Sequence, residues 1–141
     1  CKAFSNIKLH NQTVLTPHPG EAAEMLGITS KEIQKNRIES AKKLQKKYGC
    51  IIVLKGNGTI ICSKNDIYLC SSGGPELAVA GSGDILSGVI GSLMAQGLAP
   101  FDAAKTGVGI HARAGEDFAA DVGRIGLAAG ELIPYIRKLL N

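Results

Sequence analysis

Arginine and aromatic side chains are nearly missing from the most basic stretch of the chain, residues 31–47, and that absence narrows what the surplus charge can do. The formal net charge of +4 comes mostly from lysines between Lys31 and Lys47, among which Ile38, Ala41, Leu44 and Tyr48 recur at helical spacing. A nucleic-acid surface would interleave arginines and rings with the lysines, so the stretch reads as the solvated face of an amphipathic helix and no nucleic-acid partner is expected. Long apolar runs are missing too. No stretch approaches the roughly 20 continuous residues of a membrane span, and no signal peptide is visible, so the expectation is no membrane partner and a cytoplasmic location. Cys1, Cys50, Cys62 and Cys70 contain no CxxC pair, which argues against zinc and disulfide frameworks and for reduced thiols in core or strand positions. Internal repeats and low-complexity tracts are absent. The first residue is Cys1 rather than Met, so the chain reads as a piece of a longer one.

What is present suits one domain over residues 1–141, with 45% apolar residues. Residues 13–15 predict a short strand running into TPHPGE (16–21), whose two prolines argue for an extended turn ahead of a short helix over 22–26. Thr29 and Glu32 have capping-box spacing for a helix to about Tyr48. IIVL (51–54), bounded by glycines, predicts a strand buried on both faces, and TIIC (59–62) with IYLC (67–70) predicts a hairpin. Beyond SSGGPELAVAGSG the pattern is helical. Residues 85–96 carry an apolar stripe opposite a face of small residues, Asp84, Ser87, Gly88, Gly91 and Ala95. Pro100 suits the first position of a helix to about Ala119, and a third helix over 127–140 is expected to kink at Pro134. This order predicts a layered α/β sheet that further chain or a second subunit would complete.

Three glycine-bearing loops could carry chemistry. In AGSGD (80–84), Gly81, Ser82 and Gly83 would let an anion approach the unpaired N–H groups that open a helix, with Asp84 beside them as a proton acceptor; the alternative is that Asp84 is an ordinary N-cap. KGNGT (55–59) follows the buried strand and so sits at its carboxyl end, where open α/β sheets bind small molecules. Lys55 could neutralise phosphate there. Walker spacing is absent, and a type I′ turn at Asn57-Gly58 is the plain alternative. In TPHPGE, prolines on either side stiffen the backbone of His18, which suits a contact residue, while Glu21 could cap the following helix. His111 reads as a buried, satisfied histidine and ranks below His18.

TPHPGEAAEMLG, VLKGNGTII, AGSGDILSGVIGSLMAQGLAPFDAA and GIHARAGED, in this order, resemble the carboxyl-terminal half of the ADP- or ATP-dependent NAD(P)H-hydrate dehydratases of the ribokinase-like superfamily. The resemblance covers residues 13–140. It implies a three-layer α/β/α sandwich with a central, mostly parallel sheet, of which this chain holds the carboxyl-terminal part. The implied activity is removal of water from the hydrated nicotinamide of NADHX or NADPHX, restoring NADH or NADPH at the expense of ADP or ATP. Carried over motif by motif, Lys55, Gly56, Asn57, Gly58 and Thr59 would line the adenine nucleotide, Gly83 would meet its phosphates, and His18 and Asp84 would contact the hydrated dinucleotide. Asp84 would be the catalytic group. Mg²⁺ is expected with the nucleotide, its ligands unidentified.

The family's earlier half is not represented, and GSGD stands where GTGD is usual, a change that keeps a hydroxyl at Ser82. A homo-oligomer is expected, and some relatives carry a preceding epimerase domain. Two other readings compete. One is a ribokinase-like kinase of a small alcohol such as a vitamin precursor, separated by TPHPGE and by substrate. The other is a nucleotide-binding fragment that needs its amino-terminal half to turn over.

Overall fold

Strand β2 (Ile51–Leu54) is buried along its whole length, and its alternating side chains divide the core. Ile52 and Leu54 pack on one side with Ala22, Ala23, Ile33, Ala41, Leu44 and Tyr48, while Ile51 and Val53 pack on the other with Leu86, Ile90, Leu93, Ala103, Ala104 and Val108. Two-residue periodicity sends neighbours to opposite faces, so a continuous apolar run demands cover on both. The cover is helical on each side, and the molecule is a three-layer α/β/α arrangement. These coordinates are a computed structural model that describes residues 8–141; Cys1 lies outside them.

The elements run β1 (Val14–Leu15), α1 (Pro19–Leu26), α2 (Ser30–Lys35), α3 (Arg37–Tyr48), β2, β3 (Thr59–Cys62), β4 (Ile67–Cys70), α4 (Ser82–Ala95), α5 (Pro100–Asp121) and α6 (Leu132–Leu139), with short 3-10 turns at Pro75–Leu77 and Ala129–Glu131. Sheet order is β1-β2-β3-β4. The pair β1–β2 is parallel, in register Val14↔Ile51, and the next two pairs are antiparallel. This part of the sheet is thus mixed where a mostly parallel one was expected. Only β1 and β2 are joined by a helical crossover, and a four-residue link, Ser63 to Asp66, permits nothing but a hairpin between β3 and β4.

Several boundaries differ from the sequence expectation. Pro19 opens α1 instead of delaying it, because a first-turn residue needs no N–H partner. The segment after Thr29 breaks at Asn36 into α2 and α3, although the Thr29–Glu32 capping box forms as expected. Ile38 stays half-exposed, while Ser40, Ala41, Leu44 and Tyr48 face the sheet. Pro134 is the third residue of α6, where its missing N–H costs nothing, so no interior kink arises. The small-residue face of α4 points outward, with open space around Gly88 and Gly91; close approach occurs instead at Gly107 of α5, where a Cβ would lie 2.7 Å from Ile90 Cγ1.

Cys50, Cys62 and Cys70 are free and buried, and burial pushes the Cys50 thiol up to about 11. No helix among the described residues is long and apolar enough to cross a membrane.

Candidate functional site

The parallel pair sets the site. Strands β1 and β2 end side by side, so the loops that leave them, 16–18 and 55–58, emerge at the same edge, and the Lys55 N–H donates to Pro17 O at 2.9 Å. Helix α4 starts against both. Thr16 Oγ1 and Ser87 Oγ are 3.0 Å apart, and a Cβ built on Gly83 would lie 2.6 Å from Lys55 Nζ. TPHPGE, KGNGT and GSGD, separated by tens of residues in sequence, therefore meet at one place.

Within GSGD each residue has a distinct part. Gly81 is the N-cap of α4 at φ 84°, a left-handed conformation that an L side chain resists, and a Cβ there would press on Ala129. Ser82 is buried, its hydroxyl 3.0 Å from His111 Nε2 and its N–H donating to Val79 O, so the hydroxyl expected in the anion loop faces inward and the N–H is engaged within the protein. Gly83 leaves the space that the Lys55 ammonium enters. Asp84 is the third helical residue rather than the N-cap, with an exposed side chain that makes no hydrogen bond or ion pair among the described residues.

His111 is the buried histidine its sequence position suggested. Its Nε2 lies 3.0 Å from both Ser82 O and Ser82 Oγ; a carbonyl can only accept, so the contact with Ser82 O is a hydrogen bond when Nε2 carries the proton. Desolvation lowers the His111 pKa, the Ser82 backbone bond opposes this, and Lys55 adds to the lowering. Because the unfolded chain takes up a proton that the folded one resists, stability is expected to fall as pH drops below the ordinary imidazole value of 6.5 toward the lowered native value, and to be fully present above 6.5. The slope should not exceed about 1.4 kcal/mol per pH unit for one group. Urea midpoints against pH check this, with a flatter profile in His111→Gln.

The KGNGT loop is not the type I′ turn held as its alternative. That turn needs positive φ at two central residues, and no non-glycine residue here has it; Gly56 and Gly58 do, at 138° and 69°. Thr59 Oγ1 donates to Gly56 O, and Asn57 is exposed. The loop leans on Arg37, a residue the sequence reading passed over, whose guanidinium donates to the carbonyls of Leu54, Lys55 and Gly58 at 3.2, 3.3 and 2.9 Å. Its only signal in the sequence is an arginine among lysines, since contacts 17–21 residues away leave no local pattern.

His18 caps α1. Its Nδ1 accepts from the N–H groups of Gly20 and Glu21, and Glu21 returns the bond to the His18 N–H at 2.7 Å, so the capping expected of Glu21 is present and His18 shares in it. With Nδ1 engaged, Nε2 is the other ring nitrogen, 3.7 Å from Glu21 Oε2 on a side chain 56% exposed. Gly20 is required beneath it, where a Cβ would come within 2.9 Å of the ring.

A separate cavity of about 280 Å³ lies between residues 73–76 and the end of α5. Its carboxylates, Glu116 and Glu76, each accept a backbone N–H, from Gly73 and Gly74. None of the predicted site residues line it. No group of three or more His, Cys, Asp or Glu among the described residues could hold a metal ion by itself.

Fold and site together define an α/β protein whose candidate loops meet at one edge: the carboxyl ends of two parallel strands, a glycine-led helix N-terminus and a lysine beside it. The particular family follows from comparison. The NAD(P)H-hydrate dehydratase family matches residues 3–138, and the chain belongs to it. It is 46% identical over 129 residues to the bifunctional NAD(P)H-hydrate repair enzyme Nnr of Coxiella burnetii, covering 91% of this chain and 26% of that protein. It is 44% identical over 130 residues to the ADP-dependent (S)-NAD(P)H-hydrate dehydratase of Neisseria meningitidis, covering 91% and 44%. The Bacillus subtilis ADP/ATP-dependent NAD(P)H-hydrate dehydratase co-crystallised with ATP/Mg²⁺ superposes with TM-score 0.90 at 32% identity, over 98% of this chain and 51% of that one. The ribokinase-like fold implied by the motifs is thereby shown. The chain spans about half the length of the single-function relatives and about a quarter of the bifunctional ones.

Proposed function

We propose that this chain forms the nucleotide-binding and proton-accepting half of an ADP- or ATP-dependent dehydratase acting on NADHX and NADPHX. One observation carries the reading: the Lys55 ammonium lies against Gly83 at the positive end of α4, with no carboxylate in ion-pairing distance among the described residues. Two positive ends side by side repel. An anion lying between them turns that repulsion into attraction, so the arrangement fits a nucleotide phosphate.

Hydroxide is a poor leaving group, and the nucleotide supplies a phosphoryl group that converts the ring hydroxyl into a good one. Asp84, exposed and unpaired next to this anion position, accepts the hydroxyl proton. The Gly83 N–H at the start of α4, which has no acceptor among the described residues, and the Lys55 ammonium stabilise charge on the phosphoryl group as it moves. His18 presents Nε2 toward solvent as a hydrogen-bonding contact for the hydrated dinucleotide. Mg²⁺ fits as an ion held largely by phosphate oxygens and water, since the described residues offer no protein cage for it. β1 is a two-residue strand with β2 as its partner among the described residues, and the reading includes a further strand, from additional chain or a second subunit, along its other edge.

The test is return of the reduced-nicotinamide absorbance band from chemically prepared NADHX with Mg²⁺ and either nucleotide, for the full chain alone and with the amino-terminal half of the Neisseria protein supplied. Nucleotide-dependent recovery is expected. Turnover of a small alcohol with none of NADHX would favour the kinase reading. Gly83→Ala gives a second check. Lys55 is flexible and alanine is the better helix former by up to about 1 kcal/mol, so melting should hold or rise. Displacing the ammonium should nonetheless weaken ADP binding about tenfold, the loss of one charged contact.

A further inference from the structure

Arg37 reaches from the start of α3 to the underside of the 55–58 loop. Its Nη atoms donate to three carbonyls, Leu54 O, Lys55 O and Gly58 O, and it also meets Gln34 Oε1 at 3.3 Å. Gly56 makes the approach possible, because a Cβ there would lie 2.5 Å from Nη1. The cation is partly buried without a carboxylate partner among the described residues. On the same loop, the N–H groups of Gly56, Asn57 and Gly58 donate to no acceptor among the described residues. The Lys55 carbonyl and the Gly56 N–H belong to one peptide, so drawing that oxygen to the cation leaves this hydrogen for the other side.

We propose that Arg37 is a positioning residue for the nucleotide: it gathers loop carbonyls behind KGNGT and fixes the loop so that the Gly56 N–H faces the anion that Lys55 and α4 receive. This rests on the function proposed above. Two effects add. Oxygens that would repel a phosphate are turned away, and a fixed positive charge stands behind the loop. Arginine suits the task because its planar fork reaches several carbonyls at once, whereas a lysine ammonium is a single point. The loop itself is glycine-rich and would otherwise sample many conformations, so the clamp removes before binding an entropy cost that the nucleotide would have to meet.

The experiment compares the full chain with Arg37→Met and Arg37→Lys under the conditions of the dehydration assay, measuring calorimetric ADP affinity, KM for ADP and for NADHX, and melting temperature. Arg37→Met is expected to weaken ADP binding at least about tenfold, a loss of more than one charge-assisted contact, with KM for NADHX within about twofold. Arg37→Lys should recover only part of the loss. Millimolar guanidinium chloride, but not sodium chloride at equal ionic strength, should restore ADP affinity to Arg37→Met. Unchanged ADP affinity in either folded variant overturns the proposal. So does equal damage to both substrates with lowered melting and no guanidinium rescue, and so does full recovery by lysine. If Arg37→Met fails to fold, Arg37→Lys decides by the same split between ADP and NADHX. If the unaltered chain binds ADP but dehydrates nothing, only the reaction assigned above falls; if it binds no ADP, both readings fall together.

Discussion

Replacing Asp84 with asparagine is expected to cut nucleotide-dependent dehydration on the order of 10²–10⁴-fold while leaving ADP affinity intact. Asparagine matches the shape of the carboxylate and can still accept a hydrogen bond, but it does not take a proton. Binding should survive because Asp84 makes no bond to Lys55, Arg37 or the loop that Arg37 clamps. Removing a negative charge next to the phosphates would, if anything, tighten them. The helix gives a small opposing effect, since an acid in the first turn of α4 stabilises it by about 0.3–1 kcal/mol and this side chain is exposed. Melting should thus shift little. Single-turnover recovery of the reduced nicotinamide, run beside ADP calorimetry, separates the two effects; activity within a few-fold of the unaltered chain would remove Asp84 from the proton-accepting role.

Much of this arrangement is written locally. β2 announces itself through a four-residue apolar run between glycines, and the structure buries all four side chains. The Thr29–Glu32 box and Pro100 mark helix starts because capping depends on residues within one turn of each other. The three candidate loops were legible as glycine-bearing segments after strands, yet their meeting was not. That meeting depends on Lys55 crossing to Gly83 and on Thr16 reaching Ser87, contacts 28 and 71 residues apart in sequence. Ser82 and Arg37 mark the limit from opposite directions. The serine hydroxyl looked available to a ligand and instead faces His111; the arginine looked like one more surface cation and instead holds a loop together. In both cases the decisive partner comes from another element, and neither local propensity nor spacing encodes it. The proline boundaries erred for a different reason. Pro19 and Pro134 act as breakers only in a helix interior, and each falls in a first turn, where no hydrogen bond is lost.

Leu54 joins the core to the site, and Leu54→Ala is expected to destabilise the chain by about 2–5 kcal/mol. The side chain is fully buried against Leu44, Tyr48 and Ile52, in the layer between the sheet and α1–α3. Paired strands on one side and packed helices on the other leave little freedom to collapse into the vacated space, so the cavity term adds to the lost burial. A domain of this size is stabilised by about 5–15 kcal/mol in all, and the change takes a large share of it. The urea midpoint should fall with the slope preserved, whereas Ile67→Ala on the outer strand, 43% exposed, should stay within about 0.5 kcal/mol. The same residue supplies one of the carbonyls held by Arg37 and immediately precedes Lys55. Loosening the end of β2 therefore also loosens the 55–58 loop, and saturating ADP should restore less stability to Leu54→Ala than to Ile67→Ala. Equal stabilisation of the two variants by ADP would mean that the loop holds its shape without the strand behind it.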